Sequence, residues 1–280
     1  MTWTLSDSPD DFRAQAGDFL AAHRAENTVL LTVLHSITTN GPHVFGPDDP
    51  QFGWWRPAPD APVAGAFLRT PPYALRLGRM PERAGAELAL ALAGVELPGI
   101  GGGLAQATAF AAARPERSTL MANERLYRLG ELVDPSPLPG GRVRPATAAD
   151  ADLLVEWFSA FVAEAELAVP GENHRPTVER RTAAGDLHVW EDEEGVPVSF
   201  AAVSAVIGGM SRIGPVYTPP EHRGRGYASG VVAAGSAHAL AAGADEVLLF
   251  TDLANPTSNS IYRKLGYRPV EDCVSLSFEA

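Results

Sequence analysis

The chain reads as an α/β (α+β) protein in two units, with a mixed, mostly antiparallel sheet flanked by helices. Three observations predict this. The stretch Asp134-Pro135-Ser136-Pro137-Leu138-Pro139-Gly140-Gly141 is too rich in proline and glycine to hold a regular element, and it divides the 280 residues near their middle. Beyond it, segments of strand and helix period follow one another in the order β-α-α-β-β-β-α-β-α-β. Within that series one strand breaks into a glycine-rich turn that opens directly into an alanine-rich helix.

In the first half, Asp10 to His23 carries the apolar spacing of a helix, and Val63 to Leu77 reads as two strands around Pro71-Pro72. Glu82 to Ala93 and Leu104 to Ala113 read as helices. This cadence fits a second, decayed copy of the unit that follows, so residues 1–134 are expected to form such a copy or an accessory domain. The run Glu96-Leu97-Pro98-Gly99-Ile100-Gly101-Gly102-Gly103 imitates a phosphate-binding turn, but the carboxylate of Glu96 would repel an anion there. A wall for a substrate pocket or a stabilising domain is the expected role of this half. Phe52, Trp54 and Trp55 either line such a pocket or fill a core.

After the linker (135–141), residues 142–280 are expected to form the second domain. Arg142 to Ala146 reads as a short strand, and Thr147-Ala148-Ala149-Asp150 carries capping chemistry into a helix whose apolar face is Leu153, Leu154, Trp157, Phe158, Phe161 and Val162. Pro176 to Ala184 is a second short helix and Leu187 to Glu191 a strand, with a hairpin turn at Asp192-Glu193-Glu194-Gly195. Val196 to Ile207 and Ser211 to Thr218 are the next strands. A helix at Tyr227 to Ala242, a strand at Glu246 to Thr251, a helix at Thr257 to Leu265 and a strand near Cys273 to Phe278 complete the order.

Composition narrows the functions. Hydrophobic residues make up 45% and charged residues 20%, which are globular values, and no run approaches the ~18 apolar residues of a membrane span. The start, Met1 to Asp7, lacks a basic segment followed by an apolar core, so a cytoplasmic protein is expected. A formal charge of −12 argues against a nucleic-acid partner and is compatible with steering a cationic amine. The single cysteine, Cys273, cannot form an intramolecular disulfide and is better suited to a core than to nucleophilic attack. The seven histidines show no metal-ligand spacing, so no metal is expected.

The most informative run is Val216-Tyr217-Thr218-Pro219-Pro220-Glu221-His222-Arg223-Gly224-Arg225-Gly226-Tyr227-Ala228. Glycines at 224 and 226 let the backbone approach an anion, and the helix that follows offers unpaired N–H groups and the positive end of its dipole. Such a turn suits a pyrophosphate. It is not a Walker loop, because the only lysine of the chain is Lys264, and it lacks the three spaced glycines of a dinucleotide fingerprint. A second segment, Asn255-Pro256-Thr257-Ser258-Asn259-Ser260-Ile261-Tyr262-Arg263-Lys264-Leu265-Gly266-Tyr267, follows a buried strand, with Pro256 suited to a first helical turn and Gly266 to a C-cap.

The spacing Arg223-x-x-Gly226-x-Ala228 resembles the Arg/Gln-x-x-Gly-x-Gly/Ala signature of the GNAT superfamily of acyl-CoA-dependent N-acyltransferases, and Asn255-Pro256 to Gly266-Tyr267 resembles the segment after that fold's fifth strand. The resemblance covers about residues 141–280 and implies the GNAT fold, with the whole chain a tandem of two GNAT-like domains. It implies acetyl-CoA as co-substrate, held by Val216, Tyr217, Thr218, Arg223, Gly224, Arg225, Gly226, Tyr227, Ala228, Asn255 and Ser260. It also implies Tyr262 as the general acid that protonates the leaving thiolate.

Strand Ser211 to Thr218 holds no carboxylate, whereas many members of the superfamily carry a glutamate there as base. Glu172 and His174, in the loop after the first helix of this half, are weak candidates for the role, beside a water chain to solvent. The activity expected is N-acetyl transfer from acetyl-CoA to a primary amine of a small acceptor, by a monomer or a homodimer. A catalytically silent acyl-CoA-binding regulator is the alternative, and a nucleotide-binding protein built on the Gly99 to Gly103 turn is a third reading.

Overall fold

The computed structural model describes residues 3–165 and 173–279. The first half contains β1 (Trp3–Ser6), α1 (Pro9–Ala22), α2 (Thr28–Asn40), β2 (Gln51–Trp55), β3 (Gly65–Arg69), β4 (Leu75–Leu77), α3 (Glu82–Ala91), β5 (Gly99–Gly103), α4 (Leu104–Ala112) and β6 (Ser118–Leu129). The second contains β7 (Arg142–Pro145), α5 (Ala151–Glu164), α6 (Arg175–Ala183), β8 (Leu187–Glu191), β9 (Pro197–Val203), β10 (Met210–Tyr217), α7 (Tyr227–Ala241), β11 (Glu246–Asp252), α8 (Pro256–Lys264) and β12 (Tyr267–Phe278). Both halves run through the same order, β-α-α-β-β-β-α-β-α-β. In each, the strand before the third helix is parallel to the strand after it, β4 to β5 and β10 to β11. None of the described helices is long and apolar enough to cross a membrane.

Two compact units share the chain. One comprises 1–126, 251–255 and 269–280, and the other 127–250 and 256–268. The division differs from the linker-based reading, which kept 142–280 together. The reason is strand pairing: β12 lies antiparallel along β5 from Cys273–Gly103 to Ser277–Gly99, so most of the last strand completes the first unit.

That pairing also corrects the reading of the glycine run. Gly99–Gly103 is not a turn but strand β5, bound by β12 on one side and by β4 on the other. Its glycines are needed because a neighbour occupies the space of each missing Cβ. A Cβ at Gly99 would lie 2.3 Å from the Leu276 carbonyl oxygen, and one at Gly103 would meet the Glu271 carboxylate and the Gln106 amide. In the first unit the strands run β1-β2-β3-β4-β5-β12-β6. Phe12, Leu20, Leu30 and Leu34 of α1 and α2 cover Phe52, Trp54, Ala66 and Leu68, while α3 and α4 cover Leu75, Ile100 and Val274. The aromatic trio of β2 is therefore core, with Phe52, Trp54 and Trp55 all buried. Each fully buried large apolar side chain contributes about 1.5–3 kcal/mol.

The second unit has the strand order β11-β10-β9-β8-β7. Its α5 starts where the sequence predicts: Asp150 accepts from the Thr147 backbone N–H (2.7 Å) and from the Thr147 hydroxyl (3.0 Å), and its carboxylate takes both terminal nitrogens of Arg144 at 2.8 Å. Trp157, Phe200, Val189 and Tyr217 form the core on that face. On the other face α7 approaches the sheet closely, because a Cβ at Gly230 would stand 2.9 Å from the Trp190 ring and one at Gly235 2.9 Å from Val203. Small residues all round explain how this helix is buried without a polar side at its centre.

Candidate active site

Three features of the second unit bear on a site near the end of β10. The first is a parting of strands: among the described residues the β10–β11 ladder runs from Met210–Glu246 to Arg212–Leu248 and stops, although both strands continue. From Ile213 onward β10 keeps only its partner β9, through Ile213–Val203, Val216–Ala201 and Tyr217–Phe200, with an irregularity between 213 and 216. The bulge sits at Gly214, whose φ of +143° suits a residue without a side chain. Val216, Tyr217 and Thr218 thus stand on a strand end whose second edge has left its ladder. That end is pinned by Ser199, whose hydroxyl donates to the Tyr217 carbonyl (2.9 Å) and lies 2.8 Å from the Thr218 hydroxyl.

The second feature is the turn into α7. Gly224 and Gly226 both adopt left-handed conformations, φ +77° and +85°, and Gly226 caps α7 without a side-chain bond to its first N–H groups. Gly224, Arg225 and Gly226 are exposed, and space around the missing Cβ of Gly224 is open. Linker residue Pro139 packs 3.6 Å from the would-be Cβ of Gly226, and the Gly140 carbonyl accepts from the Trp190 indole (2.9 Å), so the proline-rich segment braces this turn.

The two arginines of the turn are placed differently. Arg223 donates to the Thr218 carbonyl (2.8 Å), forms a two-pronged pair with Glu164 at 2.9 and 2.6 Å, and stacks over the Tyr217 ring at 5.6 Å. The Tyr217 hydroxyl donates to the same carboxylate at 2.9 Å, and burial together with that carboxylate raises its pKa. Arg225 makes no hydrogen bond or ion pair among the described residues, which leaves it as the uncommitted cation of the turn. Glu164, at the end of α5, escaped the sequence reading: it is separated from its partners by 53 and 59 residues, and no local pattern marks it.

The third feature is Tyr262. It lies on α8 within the core formed by Tyr127, Val231, Leu249 and Tyr267, with 9% of its surface exposed. Its ring meets that of Tyr267 edge-on at 6.1 Å. Burial, partly offset by a hydrogen bond with Ser258, pushes the phenol up to about 12. It therefore holds its proton at neutral pH. Ser260 on the same helix is exposed. Asn255 belongs to the segment 251–255 of the first unit. A buried neighbour not anticipated from sequence, Asn259, accepts from the Tyr127 hydroxyl at 3.0 Å.

Of the two base candidates, Glu172 lies outside the described residues. His174 precedes α6 and its ring sits 5.2 Å from that of Phe158. Cys273 is partly buried, and burial, reinforced by the neighbouring carboxylates Glu271, Glu124 and Asp272, keeps its thiol protonated. Among the described residues no group of three or more His, Cys, Asp or Glu side chains is placed to hold a metal ion.

Comparison with known proteins bears on the fold that carries these residues. A family model described as FR47-like protein matches residues 201–276, a stretch that contains both the turn and Tyr262. No curated protein matches the sequence. Among solved structures, a GNAT-family acetyltransferase from Colwellia psychrerythraea is 12% identical with a TM-score of 0.58, covering 100% of both chains. A GCN5-related N-acetyltransferase from Sphaerobacter thermophilus is 15% identical with a TM-score of 0.59, over 99% of this chain and 95% of its own. A tandem GNAT protein from the clavulanic acid biosynthesis pathway is 13% identical with a TM-score of 0.56, over 99% and 98%. At such identities the likeness is one of fold. The chain has the fold of the GCN5-related N-acetyltransferases along its whole length, and its residues 201–276 are FR47-like.

Proposed function

We propose that the second unit binds acetyl-CoA and transfers its acetyl group to a primary amine of a small acceptor. The observation that carries this is the parting of β10 from β11 beside a helix whose N-terminus is bare and glycine-capped. A sheet that opens one strand edge offers hydrogen-bonding groups to an extended, amide-bearing arm. The adjoining N–H groups of the 224–228 turn, with Arg225, suit a pyrophosphate. Val216, Tyr217 and Thr218 would hold the arm, and Gly224, Gly226, Tyr227 and Ala228 the phosphates. Arg223 serves less as a phosphate ligand than as the tie that fixes the turn to Glu164.

Acetyl-CoA supplies the activated acetyl carbon when bound. The chain supplies position and hydrogen bonds. Tyr262 keeps its proton and can donate a hydrogen bond to a leaving sulfur. Full transfer from a phenol near 12 to a thiolate of ordinary pKa, ~8.5, would be uphill by roughly 5 kcal/mol, so stabilisation by that hydrogen bond is its expected share. β10 carries no carboxylate, so the acceptor loses its proton to His174 or to solvent.

The test is titration of acetyl-CoA into wild type and into a Gly224→Glu/Gly226→Glu variant, which places carboxylates at the turn. Micromolar binding that the variant abolishes supports the reading. Equal affinity in both, or no binding to wild type, refutes it. Binding without turnover on any amine would favour the silent acyl-CoA-binding regulator.

A further inference from the structure

The first unit repeats the strand-helix order of the second, yet the place that corresponds to the glycine turn is built differently. Between β4 and α3 the chain has only Gly78-Arg79-Met80-Pro81, without a left-handed glycine, and the Arg79 backbone N–H is already given to the Asn27 side chain at 2.9 Å. Instead of offering N–H groups, this short loop borders an open cleft of about 540 Å³. All its lining residues belong to the first unit. Phe19, Val63, Met80, Pro81 and Val270 make an apolar wall, and His23, Glu26, Arg79 and Glu271 are its polar groups.

The charges in the cleft do not balance. Arg79 is paired with Glu26 at 2.7 Å. Glu271 receives one neutral hydrogen bond, from the Gln106 amide at 3.1 Å, and among the described residues forms no ion pair, feeling Arg79 only at longer range. Its neighbour Asp272 is neutralised separately by Arg125, at 2.6 and 2.9 Å. Glu271 is partly buried, lying over Gly103, where a Cβ would stand 2.1 Å from its Oε1. Two carboxylates therefore face one guanidinium that is already engaged. Burial, reinforced by the carboxylates of Glu26 and Asp272, raises the pKa of Glu271, and a bound cation would relieve the same cost.

We propose that this cleft is a binding site for a small organic cation, with a primary ammonium on Glu271 and an apolar body against Phe19, Val63 and Met80. This inference does not require acetyl transfer by the second unit.

The probe is 2-phenylethylamine, titrated calorimetrically into the full chain at neutral pH, with 2-phenylethanol as the uncharged analogue of the same shape. Saturable binding of the amine is expected, at least tenfold tighter than the alcohol. Glu271→Gln keeps the shape and removes the charge, so it should weaken the amine at least tenfold and leave the unfolding temperature and the acetyl-CoA titration as in wild type. Glu26→Gln, which removes the other carboxylate, should weaken the amine as well and provides a second variant if the first is poorly folded. An amine held in the second unit would be indifferent to both changes. Absence of binding, equal binding of amine and alcohol, or undiminished affinity in the two variants would overturn the proposal.

Discussion

Asp150→Asn is the perturbation whose cost the structure lets one work out. The Asp150 carboxylate is buried, takes a two-pronged bond from Arg144 and caps α5 through Thr147, and these donors, the Arg144 bond foremost, hold its pKa down at about 2 from 3.8. The difference of about 1.8 units corresponds to about 2.5 kcal/mol of folding stability at neutral pH. The folded pKa is depressed, so the contribution is fully present above pH ~4 and is lost as pH falls through ~2. Near pH 3 about half remains. Asparagine keeps one acceptor for the Thr147 N–H but removes the charge facing the two terminal nitrogens of Arg144, which then keeps only Glu191, at 2.6 Å, as its carboxylate partner. Urea denaturation followed by tryptophan fluorescence should therefore place the variant about 2–3 kcal/mol below wild type at pH 7, with the gap roughly halved at pH 3. A gap under about 1 kcal/mol at pH 7, or one that does not shrink with acid, would refute the assignment of this stability to the ionised carboxylate.

Tyr262→Phe should leave acetyl-CoA affinity within about twofold and lower turnover by about 10–100-fold, and the wild-type pH–rate profile should show no descending limb from the phenol below about pH 11, because burial raises it to about 12; steady-state kinetics from about pH 6 to 11 check both. Gly99→Ala puts a methyl 2.3 Å from a backbone oxygen that cannot move aside, so chemical denaturation should show a loss of about 2–3 kcal/mol, with acetyl-CoA binding to the second unit unchanged. Glu164→Gln removes the partner of Arg223 from a pair that is half exposed on both sides, so stability should fall by no more than about 1 kcal/mol. With the turn no longer tied to α5, acetyl-CoA affinity should fall, which calorimetry on the variant would show; unchanged or tighter binding would refute the positioning role given to Arg223.

Much of the second unit could be read from its residues because local signals there agree with tertiary demands. The capping box at Thr147 and Asp150, the turn glycines 224 and 226, and the Pro256 and Gly266 bounds of α8 each answer a backbone requirement that only those residue types meet. The first unit hides more. Helix α2, Thr28–Asn40, is rich in β-branched residues whose propensity opposes a helix, and packing of Leu30, Leu34 and Ile37 decides otherwise. Gly99–Gly103 carries the composition of a turn, and only its pairing with β12, some 170 residues on, shows that it is a strand kept bare for Leu276, Arg76 and Glu271. Within the site the turn and Tyr262 stood out, but Glu164 did not, since its role rests on contacts with residues more than 50 positions away.

The proposed function requires the opening between β10 and β11, with the 224–228 turn beside it, to hold acetyl-CoA. A crystal structure of the complex with CoA tests it most directly. Pyrophosphate oxygens should lie within hydrogen-bond distance of the backbone N–H groups at 224–228, and the pantetheine arm along Val216 to Thr218, where β11 has departed. CoA bound elsewhere, or strands β10 and β11 zipped together over that stretch, would contradict it.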